Sequence, residues 1–469
     1  MLVNEIELSP GELRKLLAAA MDRVEAYLEG LDTQPTRHLD GARDVCASLV
    51  EPPPRKGAPV EELLDIVFGA ANSVGFASAS PGYTAYIPGG GLLHAAVGDF
   101  VADALNRYVG VWEAAPGMVQ IEANVVRWFC DIVGYPAQAL GFLTTGGSLA
   151  NLTAVTTARS ERLGERFLDG TLYTSDQGHH SLAKAALLVG FPRDQLRVIP
   201  SDDRQRIRVD ILRETIAADR ARGLRPALVA ASAGTTNTGA IDDLPALADL
   251  CQDEGLWLHA DAAYGGFFCL TQRGGERLRG LSRADSITLD PHKGLFLPFG
   301  TGALLVRDGE TLRRTHSVTS DYMPPYQDEA AHIDFAEISP ELSRDFRGLR
   351  VWLPLRLCGL DRFAALLDEK LDLAEWAARE LRRLPNVEVL EPTLSVVAFR
   401  AVDPALDLAG NNARNRAWLE RINARQRVML TPTFLDGAYV LRIAILSFRT
   451  HRDRVAMALE DIEQTREGL

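Results

Sequence analysis

Short apolar runs rich in β-branched residues alternate with stretches of helical spacing through the middle of the chain. The runs "TLYTS", "LRVIP", "ALVAAS", "LWLHAD", "SITLD" and "GALLVRD", which begin at Thr171, Leu196, Ala227, Leu256, Ser286 and Gly302, predict strands. Between several of them, "SLAKAALLVG", "VDILRETIAADRARG" and "LPALADLCQDEG" place apolar residues three and four apart and predict helices. Strand–helix alternation of this kind implies an α/β fold, with a mostly parallel sheet covered by helices on both faces. Ligands of such sheets bind beyond the carboxyl ends of the strands.

The flanks have a different pattern. Near the start, Ser9 and Glu12 have capping-box spacing with Pro10 between them, and Leu13, Leu16, Leu17, Ala20, Met21, Val24 and Leu28 form one apolar stripe. That stripe needs a cover, from either the chain's own body or a second subunit. After about residue 350 a long helical pattern runs to Pro385. The strand-like "VEVLE" and "LSVVAFR" follow, then a helix, a hairpin turning at Asp436-Gly437, and a last helix. The expected organisation is an N-terminal helical segment over 1–90, a large α/β domain over 91–350 and a small α+β domain over 351–469.

Composition narrows the function. At 46% hydrophobic and 24% charged, the 469 residues have the make-up of an ordinary globular enzyme. A formal charge of −13 argues against nucleic acid as partner. No apolar run approaches the ~20 residues that span a bilayer. The opening "MLVNEIELSP" has no signal-peptide core, and five scattered cysteines offer neither a disulfide framework nor metal-ligand spacing. A reduced, cytoplasmic setting without a bound metal is the expectation.

Candidate chemistry gathers at the strand ends. "SITLDPHKGL" closes an apolar run with Lys293, in a chain whose other lysines, Lys15, Lys56, Lys184 and Lys370, have surroundings that read as solvated. A desolvated lysine is a nucleophile toward carbonyls, and the alternative is a lysine that snorkels to the surface. "FLTTGGSLANLTAV" runs strand, glycine turn, helix. Gly146, Gly147 and Ser148 there form either a plain turn or an anion-binding helix head. Asp261 ends "LWLHAD" as a helix cap or as the partner of a protonated ring nitrogen, with Ala263 leaving room for a flat ring. His179 and His180 follow another strand, as surface caps or as a cover for that ring. Taken together, the phosphate turn, aspartate, histidine and lysine are the groups that pyridoxal 5′-phosphate (PLP) requires.

The sequence resembles the group II PLP-dependent amino-acid decarboxylases over nearly its whole length. The resemblance rests on "SPGYTAYIPGG", "TTGGSLANL", "SDQGHHS", "AGTTNTGAIDDL", "HADAAYGG", "ADSITLDPHKG" and "DFRGLRVWLPLRLCG". It implies a fold-type I enzyme, a homodimer with its site at the subunit interface, that converts an L-amino acid to an amine and CO2. Lys293 would carry the cofactor, Asp261 would face the pyridinium nitrogen and His179 would stack on the ring. Gly147, Ser148 and His292 would hold the phosphate, and Ala263 and Thr236 would line the ring. Tyr322 would protonate the α-carbon, with Tyr326 as competitor. The family's Asn-Pro-His-Lys appears here with Asp290 in first place, so Asp290 is left out of the phosphate set. Ser78 and Ala79 replace the Trp-His of animal aromatic decarboxylases, while Tyr83, Tyr86 and Trp112 either line an aromatic pocket or belong to the core. The rivals are an aldehyde synthase or C–C lyase on the same cofactor, and a non-catalytic PLP-binding regulator, which would need a DNA-binding module.

Overall fold

The computed structural model describes residues 6–318 and 332–466. Its centre is a seven-stranded sheet. In chain order the strands are β1 (Leu140–Thr144), β2 (Gly170–Ser175), β3 (Leu196–Ile199), β4 (Arg225–Ser232), β5 (Trp257–Asp261), β6 (Ser286–Leu289) and β7 (Gly302–Val306), and across the sheet they run β1-β7-β6-β5-β4-β2-β3. The pairs from β6 to β3 are parallel, and β7 alone runs against both its neighbours.

Both faces of this sheet are buried, which explains why the strands read as continuous apolar runs. Alternate residues feed two separate cores. Phe142, Leu172, Leu228, Ala230, Trp257 and Leu304 enter one. Leu143, Tyr173, Val229, Ala231, Leu258 and Leu305 enter the other. The expected strands and intervening helices are all present. The helices that matter below are α1 (Pro10–Gly30), α2 (Leu93–Leu105), α3 (Pro116–Ile132), α4 (Gly147–Leu163) and α5 (His180–Leu188), with the short α6 (Pro291–Gly294). The path from β1 to β2 carries α4 across the sheet, in contact with β7, β6, β5 and β4. That placement puts one helix beside strand ends that are far apart in sequence.

Residue Ser9 caps α1 with the expected reciprocal bonds to Glu12. The stripe of α1 is only partly covered: Leu13, Leu16, Leu17 and Met21 remain exposed, as do Val97, Phe100 and Leu105 on α2. A second sheet of four antiparallel strands lies in the C-terminal part. It contains the hairpin Thr431–Leu435 and Ala438–Ala444, whose turn residues Asp436 and Gly437 have φ of 49° and 79°.

Two expectations need correction. The helical pattern before Pro385 is two helices, Gly348–Cys358 and Leu360–Leu381, broken at Gly359 with φ 76°, and the first packs on α2 and α3. Lys370 is not solvated. Its side chain is fully buried, and Nζ donates to Thr450 O at 2.7 Å and Glu369 Oε2 at 2.8 Å. It sits between Leu367 and Leu371 on the buried stripe of its helix, so its spacing carried a signal of burial.

Candidate active site

A cavity of about 280 Å³ opens at the carboxyl ends of the parallel strands, the location that sheet topology predicts. Gly147, Ser148, His179, Thr236, Asp261, Ala263, His292 and Lys293 all line it. Tyr322 and Tyr326 lie outside the described residues. Asp290, set aside in the sequence reading, also lines the cavity, as do Asn151, Gln177, Ser181 and Thr235.

Each wall has a local cause. Strand β1 ends at Thr144, and the chain turns through Gly146, whose φ of 150° is open only to glycine, into the head of α4. At Gly147 a side chain would be tight, because a Cβ would lie 3.1 Å from Asp290 Oδ2 and 3.4 Å from Ala263 Cβ. The first N–H groups of α4 lack helical partners, and Gly147 and Ser148, which open the helix, line this end of the cavity. Against this turn, β6 ends at Leu289 and Pro291 starts α6, which carries Lys293. Lysine Nζ lies 3.0 Å from Asp290 Oδ2, and the two side chains are 18% and 3% exposed. His292 Nδ1 donates to Thr301 O at 2.6 Å, and its Nε2 lies 3.6 Å from Asp290 Oδ2. The other carboxylate oxygen, Asp290 Oδ1, is buried without a hydrogen-bond partner.

Beneath the cavity runs a directional hydrogen-bond chain that sequence reasoning missed. Asn151, on α4, donates from Nδ2 to Asp261 Oδ2 and to Ser181 Oγ, both at 2.9 Å. Its Oδ1 accepts from Thr288 Oγ1 at 2.7 Å and from His259 Nε2 at 3.0 Å. Trp257 Nε1 donates to Ser286 Oγ at 2.8 Å, so that hydroxyl is free to donate to His259 Nδ1 at 2.8 Å. Burial pushes His259 down to about 4, which keeps it neutral with its proton on Nε2. At the far end the Ser181 amide and hydroxyl both meet His179 Nδ1, at 3.3 and 2.7 Å. Nδ1 is therefore an acceptor, and the proton of neutral His179 sits on Nε2. Burial lowers the His179 pKa, with Asp261 opposing. Asp261 Oδ1 accepts from the Ala263 amide at 3.2 Å, so among the described residues its carboxylate is held by neutral donors.

The aromatic residues singled out earlier do not line this cavity. Tyr83 packs with Ala85 and Met429, Tyr86 is exposed with φ 54°, and Trp112 stacks on His332 at 4.0 Å.

The residues fit one cofactor. A helix head entered through two glycines suits a phosphate, a carboxylate in a neutral cage suits a protonated ring nitrogen, and a lysine amine suits an aldehyde. The fold and this cavity define a PLP-dependent enzyme of fold-type I. Residues 74–402 match the family model of the pyridoxal-dependent decarboxylase conserved domain, and the chain belongs to that family. It is similar to an aromatic-L-amino-acid decarboxylase of Bacillus atrophaeus, 34% identical over 467 residues, 98% of this chain and 96% of that one. A tryptophan decarboxylase 2 of Oryza sativa subsp. japonica is 30% identical over 399 residues, 81% of this chain and 80% of its own. The crystal structure of Oryza sativa TDC with PLP and tryptamine superposes with a TM-score of 0.94 at 25% identity, covering 99% of both chains. The activity is therefore PLP-dependent decarboxylation of an amino acid. Among the described residues no helix is long and apolar enough to cross a membrane.

Proposed function

We propose that the protein converts an aromatic L-amino acid to its amine and CO2, as a homodimer in the cytoplasm. The observation that carries this reading is the single cavity that gathers Lys293, Asp261, His179 and the glycine turn. The aromatic substrate is supported by similarity to the Bacillus enzyme along almost the full length of both chains. The exposed apolar residues of α1 and α2 support a second subunit, and five free cysteines support a reducing compartment. The two separate sheets support a large domain over 91–350 and a small one over 351–469, after a helical segment over 1–90.

Bound PLP supplies an electron sink that weakens the bond between the α-carbon and its carboxylate. Lys293 is the amine that carries the cofactor. Gly147, Ser148 and His292 hold its phosphate, and Ala263 and Thr236 border its ring. Asp261 keeps a proton on the ring nitrogen, and the bond from Asn151 holds that carboxylate in place. His179 covers the ring and offers only its Nε2 proton outward, because Ser181 occupies Nδ1. Tyr322 then delivers the proton that makes the product an amine.

Assay of a panel of L-amino acids for CO2 and amine, alongside Tyr322→Phe and Tyr326→Phe, tests this reading. The expected result is an aromatic amine from wild type and from Tyr326→Phe. Tyr322→Phe should consume oxygen and shift product toward aldehyde. Aldehyde with stoichiometric peroxide from the wild type, or amine at full rate from Tyr322→Phe, would overturn the assigned proton donor.

A further inference from the structure

The geometry points to Asp290 as the docking point of the free Lys293 ammonium: the group that holds this nitrogen whenever it is not bonded to the cofactor. The inference rests on the reading of Lys293 as the cofactor-carrying lysine. Three observations support it. Nζ of Lys293 lies 3.0 Å from Asp290 Oδ2, three residues back on the same short turn. The carboxylate is almost fully buried, its other oxygen has no hydrogen-bond partner, and Lys293 Nζ lies nearer to the carboxylate than His292 Nε2 does, at 3.0 against 3.6 Å. Backbone bonds also hold the pair at fixed distance, from the Lys293 amide to Asp290 O at 2.8 Å and from the Asp290 amide to Ala263 O at 3.2 Å. The other titratable groups lining the cavity are His179, Asp261, Tyr264 and His292. Of these, His292 Nε2 is the one within 4 Å of the carboxylate, and burial lowers its pKa. A buried ammonium without such a partner is costly, so the pair favours the free lysine over the bonded one.

The chemistry balances without an oxidant. When Lys293 joins the cofactor aldehyde, the ammonium gives one proton to solvent. Its remaining two hydrogens leave with the aldehyde oxygen as water, and a carbon–nitrogen double bond replaces the carbonyl. When a substrate ammonium takes the lysine's place, its nitrogen takes over the double bond to carbon, its three hydrogens pass to Nζ, and the lysine returns to Asp290 as ammonium. Asp290 is thus a positioning residue that makes the lysine easier to displace.

Pyridoxamine 5′-phosphate occupies a phosphate cradle as PLP does but cannot bond to lysine, so it separates this role from plain repulsion between Asp290 and a phosphate. Dissociation constants of both compounds, measured by equilibrium dialysis on apoenzyme, are compared for wild type, Asp290→Asn and Asp290→Ala. Both variants should tighten PLP relative to pyridoxamine 5′-phosphate by about tenfold. Equal changes in the two constants would assign Asp290 to the phosphate alone, and unchanged constants would leave it no role toward Lys293; either result overturns the inference. The underlying reading is checked separately. If borohydride reduction of wild type with PLP labels a peptide other than the one containing Lys293, that reading fails, whatever the ratio.

Discussion

Replacing Asn151 by alanine removes a side chain that hydrogen-bonds α4 to β5, β6 and α5 at once. Its four hydrogen bonds go to Asp261, Ser181, Thr288 and His259, and the residue is 1% exposed, so water does not substitute freely. A neutral hydrogen bond contributes about 1 kcal/mol net and one to a carboxylate about 2 kcal/mol. The expected loss is about 5 kcal/mol, a large share of the stability of a typical domain. Urea unfolding of the apoenzyme, followed by circular dichroism, reads it out. With a slope of about 3 kcal/mol per M, the midpoint falls by more than about 1.5 M. Adding Thr288→Val to Asn151→Ala should restore about 1 kcal/mol, because the hydroxyl whose acceptor has gone no longer has to be buried unpaired. A midpoint shift below about 0.3 M, or a double variant weaker than Asn151→Ala, would refute the account of Asn151 as the hub of the network.

Asp261→Ala should lower kcat at least ~100-fold, about 2.7 kcal/mol of transition-state stabilisation, with a smaller change in KM; near-normal kcat in steady-state assays would reduce Asp261 to a structural cap. His259 is neutral in the fold, its pKa depressed from 6.5 to about 4, so the stability it contributes is present above pH 6.5 and is lost as pH falls toward 4. In a series of unfolding midpoints against pH, wild type should therefore lose up to about 3 kcal/mol more than His259→Gln across that window, and parallel curves would contradict the assignment.

Parallel strands buried on both faces announce themselves as apolar runs, and their ends carry the unusual residues, so the central sheet and the cavity wall were legible. Asn151 was not, although it stands one helical turn beyond Gly147 in a segment already singled out. A polar residue inside a helix reads as solvent-facing until the fold shows that α4 crosses beneath β5 and β6. Asp290 was noticed but set aside, because an aspartate is awkward beside a phosphate unless another group neutralises it, and only the fold shows Lys293 Nζ 3.0 Å away. Lys370 was misread for the opposite reason: charge outweighed its place on an apolar stripe. Tyr83, Tyr86 and Trp112 show the limit of composition, since an aromatic residue near a motif gives no direction for its ring.

The position of β7 bears on how the protein is made. Strand β1 joins the sheet only through β7, yet it is synthesised first, before all five of the parallel strands that follow. Gly302 at the head of β7 presses so closely on the glycine turn that a Cβ there would lie 2.5 Å from Thr144 Oγ1 and 2.6 Å from Gly146. On the ribosome, the glycine turn that walls the cavity must wait, unattached, until the chain has passed Val306. Joining segments so distant in sequence is slow. In a growing chain this wall of the cavity is complete only after β7 slots in.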